Sequence, residues 1–410
     1  MDSVRVGYSF VESAPTSSSP LTRSDRALAL GAALLLLVGS VGWMIHRRQV
    51  DLEVYRTGAL HAFSASLYHV STSVGSGAPL PFTYPPFAAL LLWPLRFGRS
   101  GLVQVLWALL GALCLWVSLR VVLEWTPPTR RPRWWWALVL AGAGVLVNPI
   151  LQTFAFGQIN LLVMALVLVD LGGVLTWGSR SLPRGVLIGI AAAVKLVPLI
   201  WIAYFVVTRQ RRGALVASAS FVGSVLLSGL LNFGGSKEYW LHDVVAQSRI
   251  GVVSFVSNQS LQGLLDRVSH RTLSSLLVDS ISGVVLVAGL LLARRLHERA
   301  ERTAALWTIA ATGLLVSPVS WVHHYVWAWP ALVWAFAQGS TRTRVGAGLL
   351  TGIFVVAPMW WVPHGAPFDL RESPVTALAA NSFALVALGV LVVTAWSTSP
   401  RRGGVSTILD

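Results

Sequence analysis

The stretch PFTYPPFAALLLWPLRF, residues 81–97, is long and apolar enough to be taken for a membrane crossing, and whether it crosses decides on which side every later loop falls. The basic residues settle the reading. With a cytosolic N-terminus, with 81–97 lying along the outer surface as an amphipathic, aromatic-rich helix, and with 185–207 as two helices, the clusters Arg130/Arg131/Arg133, Arg209/Arg211/Arg212, Arg294/Arg295/Arg299/Arg302, Arg342/Arg344 and Arg401/Arg402 all fall on the cytosolic side. That is the distribution the positive-inside rule demands. Counting 81–97 as a span would turn all of them outward.

Composition agrees with a chain built for a bilayer. The mean hydropathy is +0.67, 55% of residues are hydrophobic and 11% charged, and 19 Trp accompany only 16 acidic residues. No soluble fold of this size hides so much apolar surface, so the fold class is an all-α polytopic membrane protein. The net charge of +15 sits in short clusters between apolar segments, which reflects membrane topology and argues against nucleic acid. Cys114, the single cysteine, lies in an apolar run and supports neither a disulfide framework nor a cysteine metal site.

A bilayer-length window picks out apolar segments near 27–45, 101–123, 134–150, 160–176, 185–207, 213–233, 275–293, 303–318, 325–338, 345–361 and 375–397. With 185–207 split at Lys195 and Pro198, about twelve spans are expected, since each crossing takes ~20 residues. Residues 1–26 read as a disordered Ser/Pro-rich cytosolic tail, 27–397 as one transmembrane domain with external loops 46–100 and 234–274, and 398–410 as a second cytosolic tail. The start lacks the h-region and cleavage site of a signal peptide, so 27–45 is expected to remain as a helix.

On this topology the polar motifs gather on the outer face. Asp51 and Glu53, in VDLEVYR, share a face on a strand and diverge on a helix. Either one pairs with Arg47, Arg48 or Arg56, or a carboxylate held just above a helix end serves as a general base. Asn258-Gln259-Ser260 can cap the helix that starts at Leu261. His323 and His324, between Trp321 and Tyr325, suit an interfacial aromatic belt, and as neighbours they point apart, which disfavours a two-histidine metal site. GQIN, residues 157–160, reads as a polar turn. Lys195, flanked by AAAV and LVPLI, is costly in so apolar a setting unless it is paired or snorkels, which marks it as functional.

Taken in order, VDLEVYRTG, FTYPPF, FAFGQINLLVM, AVKLVPLIW, SNQSLQG and SPVSWVHHYVW resemble glycosyltransferase family 87, over residues 50–334. The resemblance implies a GT-C fold with external juxtamembrane helices, and α-1,2-mannosyl transfer from polyprenyl-phosphate mannose. The acceptor it implies is a glycolipid, a phosphatidylinositol mannoside, with the branches of lipomannan and lipoarabinomannan as the alternative.

It also implies roles. Asp51 is the base that takes the acceptor proton, with Glu53 as a possible second acid. Lys195 and one of His323 or His324 face the donor phosphate, with Arg56 a weaker third. Gln158, Asn160, Asn258 and Gln259 bind sugar hydroxyls, and Tyr84 and Trp321 stack on the pyranose or prenyl chain. No cofactor or metal is expected, because only a monophosphate leaves and no cluster of ligands is seen. The implied protein is a monomer of the plasma membrane, among membrane lipids, with its site facing outward. A transporter or lipid-linked sugar flippase is the rival of another class. It calls for internal repeats and midplane ionisable residues, and only Lys195 qualifies.

Overall fold

The computed structural model describes residues 21–46, 49–73, 79–177, 180–246, 249, 251–338, 340–365 and 368–399, so most of both expected tails, and Arg47 and Arg48, lie outside the described residues. Helix α1 (Arg23–His46) starts inside the stretch expected to be a tail. A capping box explains this: Thr22 N donates to Asp25 Oδ2 at 2.7 Å and Asp25 N donates to Thr22 Oγ1 at 3.2 Å, so two orphan N–H groups are satisfied at once.

A bend at Gln49 leads to α2 (Val50–Leu60), and a short antiparallel pair, β1 (Ser71–Thr72) with β2 (Leu80–Pro81), follows it. Next come α3 (Pro86–Leu91), α4 (Ser100–Glu124), α5 (Arg133–Gly144), α6 (Asn148–Phe156), α7 (Asn160–Gly172), α8 (Val186–Val194) and α9 (Leu199–Val207). The chain continues through α10 (Arg211–Leu231), α11 (Phe233–Leu241), α12 (Leu261–Val268), α13 (Ser275–Glu298) and α14 (Arg302–Val316). It ends with α15 (Ala328–Gln338), α16 (Thr341–Val356), α17 (Pro374–Ala380) and α18 (Ser382–Thr398).

Among the described residues α1 (over Arg23–Gly42), α4, α10 and α13 are each long and apolar enough to cross a membrane, and the count reaches six if the bent pairs α5–α6, at 77°, and α17–α18, at 80°, are each one span. This falls short of the segments read from the sequence because some are broken and others, α7, α14, α15 and α16, are too short to count. The 134–150 segment breaks before Asn148-Pro149, and 185–207 breaks at residues 195–198 as expected. Each half of the latter is nine residues long, which reaches about 13 Å at 1.5 Å per residue, against a hydrocarbon core of ~30 Å. Residues 81–97 hold no helix long enough to cross a membrane, and they are not one surface helix either. Helix α3 stops at Leu91, and Pro94, which has no N–H to give, sits in a separate 3₁₀ turn, Trp93–Arg96. Phe82, Ala88, Ala89 and Leu92 are buried, and α3 packs on α2, α8 and α10.

The outer helix faces carry large apolar side chains in the open: Leu30 is 74% exposed, Leu230 84%, Leu276 79% and Trp396 81%. In water such belts would be an aggregation liability, whereas against lipid they cost nothing. Two apolar clusters form the interior, and Trp125, Leu162 and Trp327 pack against both.

Candidate active site

One cavity of about 400 Å³ collects Asp51, Tyr84, Gln158, Lys195, Trp321 and His324. Because the VDLEVYR segment is helical, Asp51 and Glu53 point apart, roughly 200° around the axis. Asp51 faces the cavity. Glu53 turns away, accepting from Ser100 Oγ at 3.1 Å and pairing with Arg56 at 3.5 Å, while Arg56 also donates to the Gly98 carbonyl at 3.1 Å. Neither Glu53 nor Arg56 lines the cavity, so the ion-pair reading of this stretch applies to Glu53 and Arg56.

The GQIN turn is built to present Gln158. Helix α6 ends on Gly157 at φ 68°, where a Cβ would stand 2.7 Å from that of Leu52, so only glycine lets the turn sit against α2. Trp107 Nε1 donates to the Gly157 carbonyl at 2.8 Å and pins the turn from α4. Gln158 Oε1 accepts from Tyr55 Oη at 2.9 Å and Tyr84 Oη at 3.3 Å, and the two phenols are 2.9 Å apart. With its oxygen so held, the Gln158 amide has its N–H groups left to favour the ionised form of the Asp51 carboxylate. Gln158 therefore supports the carboxylate, where sugar binding alone was expected. No sequence motif singles out Tyr55, although its spacing of four from Asp51 puts both on one helix face.

Lys195 leaves α8 in extended conformation, φ −149° and ψ 127°, in the break before Pro198. Its Nζ donates to Asn160 Oδ1 at 2.8 Å, lies 3.1 Å from His324 Nε2 and stands 5.6 Å over the Tyr84 ring. Asn160 in turn donates to the His323 carbonyl at 2.9 Å, so it orients the lysine rather than reaching the main cavity. Of the two histidines the structure brings His324 to the cavity. His323 is buried with its ring packed on Phe156 and His324, 5.6 and 4.9 Å between centroids. A second, inner cavity of about 40 Å³, lined with Trp201 and Trp327, shares Lys195 and His324 with the first.

Asn258 and Gln259 are placed elsewhere. Asn258 donates to the carbonyl of Val253 at 2.8 Å and accepts from Ser260 N and Ser320 N at 3.1 and 2.8 Å. Gln259 donates to the carbonyls of Val256 and Ala380 at 2.8 and 2.6 Å and accepts from Phe383 N and Ala384 N at 3.0 and 3.2 Å. Both are fully buried and neither lines the cavity: the Asn258 amide ties Val253 and Ser260 to Ser320, and the Gln259 amide ties the same loop to α17 and α18, so the structure does not bring them to the place where sugar binding was expected. Ser260 caps α12 by accepting from Gly263 N at 3.2 Å, as the capping reading has it.

Burial drives the Asp51 carboxyl up to about 6, against the opposing pull of the Gln158 hydrogen bond and the Lys195 charge. Burial first, and then the charge of Asp51, push the Tyr84 hydroxyl above its ordinary value, so it stays a donor. The cavity thus offers a proton acceptor at one wall and a cation at another, with aromatic faces between. Among the described residues no group of three or more His, Cys, Asp or Glu side chains is arranged to hold a metal ion.

The sequence model of glycosyltransferase family 87 matches residues 82–318. The chain is 32% identical, over 95% of its length and 95% of the relative's, to a polyprenol-phosphate-mannose-dependent alpha-(1-2)-phosphatidylinositol mannoside mannosyltransferase of Mycobacterium tuberculosis. It is 34% identical, over 85% of its length and 83% of the relative's, to a polyprenol-phosphate-mannose-dependent alpha-(1-2)-phosphatidylinositol pentamannoside mannosyltransferase of the same species. A Mycolicibacterium smegmatis protein with the first of these descriptions is 32% identical over 90% of the chain and 89% of its own length. No solved structure matches the chain.

Proposed function

The chain belongs to glycosyltransferase family 87, and from that premise we infer that it is a membrane mannosyltransferase, moving mannose from polyprenyl-phosphate mannose to a phosphatidylinositol mannoside in α-1,2 linkage. The observation that carries the reading to particular residues is that Asp51 and Lys195 line one cavity from segments far apart in the chain.

Chemistry follows from that placement. The acceptor hydroxyl oxygen attacks the anomeric carbon as the bond from that carbon to the phosphate oxygen breaks, which inverts a β-linked donor to an α-linked product. The hydroxyl proton goes to Asp51. The departing polyprenyl phosphate carries its new charge next to Lys195 Nζ, with His324 beside it. Asn160 holds the lysine and Gln158 the carboxylate, while Tyr84 and Trp321 present ring faces to the sugar. No metal is needed to neutralise a single phosphate opposite a lysine. In this reading the fold is GT-C with about twelve crossings, the shorter helices crossing in packed company, and the monomeric enzyme works on the outer face of the plasma membrane.

Two measurements test this. Purified protein given labelled polyprenyl-phosphate mannose should extend phosphatidylinositol mannosides by one α-1,2-linked mannose. Transfer only to lipomannan would assign it the branching reaction, and no transfer to any mannoside would overturn the reading. For orientation, a cysteine at Ser71 in a Cys114→Ser background should react with an impermeant maleimide in intact cells, and one at Thr343 should not. Ser71 follows α2, and Thr343 lies at the start of α16 beside Arg342 and Arg344. Labelling at Thr343 but not Ser71 would place the cavity on the cytosolic side.

A further inference from the structure

The cavity has a second charged end. After α11 the chain makes a 3₁₀ turn, Asp243–Val245, and Asp243 and Arg249 both line the cavity that residues 195–197 also line. The Arg249 guanidinium pairs with Asp243 Oδ1 and donates a second bond to the Tyr68 carbonyl at 2.8 Å, with its centre 5.8 Å over the Tyr68 ring. The Asp243 side chain is only 10% exposed, and among the described residues its Oδ2 is buried with no hydrogen-bond partner. A buried carboxylate oxygen left without a donor is expensive, so native chains rarely keep one without a use.

We propose that the Asp243–Arg249 pair is the binding site for the terminal mannose of the acceptor glycan, with Asp243 Oδ2 accepting from a sugar hydroxyl while Arg249 fixes the carboxylate in place. This rests on the reading of the cavity as the site of mannosyl transfer. Several observations converge on a sugar and on the acceptor. A buried carboxylate with one oxygen pinned and the other lacking a donor suits a neutral hydroxyl, while Arg249, already bonded to Asp243 and Tyr68, is not poised for a phosphate. Lys195 and His324 line both the main and the inner cavity, so the anionic, lipid-linked donor belongs to that side. Asp243 and Arg249 line the main cavity alone, which leaves their end to the incoming sugar. Tyr239, which also lines the cavity, has its ring 5.4 Å from that of Tyr68, so an aromatic edge accompanies the pair, as sugar sites favour.

The test is steady-state kinetics of the purified full chain in detergent, varying phosphatidylinositol mannosides at saturating polyprenyl-phosphate mannose, and then the reverse. Asp243→Asn, which keeps an oxygen for Arg249, should raise the acceptor KM about 10–100-fold, the range for loss of a charge-assisted hydrogen bond, and leave the donor KM unchanged. Arg249→Lys should shift the acceptor KM in the same direction by less, and it serves as the test if Asp243→Asn fails to fold. A lowered kcat with unchanged acceptor KM would make Asp243 part of the chemistry and overturn the proposal. A raised donor KM, or no change in either KM, would overturn it as well. Asp51→Asn in the same assay separates the two readings. If it transfers at full rate while Asp243→Asn loses acceptor affinity, the assignment of the base falls and the acceptor site stands.

Discussion

Asp51→Asn should lower kcat by about 10²–10⁴-fold, the usual contribution of a positioned general base, while the protein still folds, because the amide is isosteric and the position is half-buried. The acid limb of the wild-type pH profile gives the same assignment a second readout. A base must be ionised to act, and burial has raised this carboxyl to about 6, so the rate should fall as the pH drops through about 6 rather than near the ordinary aspartate value of about 4. Gln158, Lys195, Tyr84 and Tyr55 interact with it, and the first two oppose the rise. In Asp51→Asn that limb should vanish. Glu53→Gln, which removes only the partner of Arg56 and Ser100, should lose far less. Near wild-type turnover in Asp51→Asn with a dead Glu53→Gln would move the base two residues along α2.

Lys195→Met should cost the donor side about 2–4 kcal/mol of transition-state stabilisation, read as a fall in kcat/KM for polyprenyl-phosphate mannose larger than that for the acceptor. The ammonium has two neutral partners, Asn160 and His324, and among the described residues no carboxylate within ion-pair distance, so its charge remains available to an anion. Methionine fills similar space without it. Unchanged donor kinetics in folded Lys195→Met protein would reduce the lysine to a snorkelling side chain.

Which parts of this were legible in the sequence depends on the range of the interactions involved. Apolar runs report burial in lipid directly, so α1, α4, α10 and α13 lie where the hydropathy pattern puts them. The break at residues 195–198 could be read because a lysine and a proline interrupt one run. The bend before α6 carries a comparable signal in Asn148-Pro149, but it lies inside a window that averages it away. The amides were the hardest. Asn258 and Gln158 are the same chemistry in similar polar motifs, and what separates them is who sits opposite: Ser320, 62 positions away, for one, and Tyr55, 103 positions away, for the other. His323 and His324 differ by one step of a 3₁₀ turn, and only packing decides which ring is walled in by Phe156.

The two partners of Lys195 also impose an order on biosynthesis. Asn160 precedes the lysine by 35 positions, whereas His324 follows it by 129. At the ~5–20 residues per second of translation, the ammonium waits roughly 6–26 s in the nascent chain before its histidine is made. Through that interval it sits in the middle of a run apolar enough to be threaded into the bilayer as a straight helix, and of its two eventual partners only Asn160 is there to receive it. The site is therefore completed late, closed by a segment the ribosome delivers after α14 and ahead of α15 to α18.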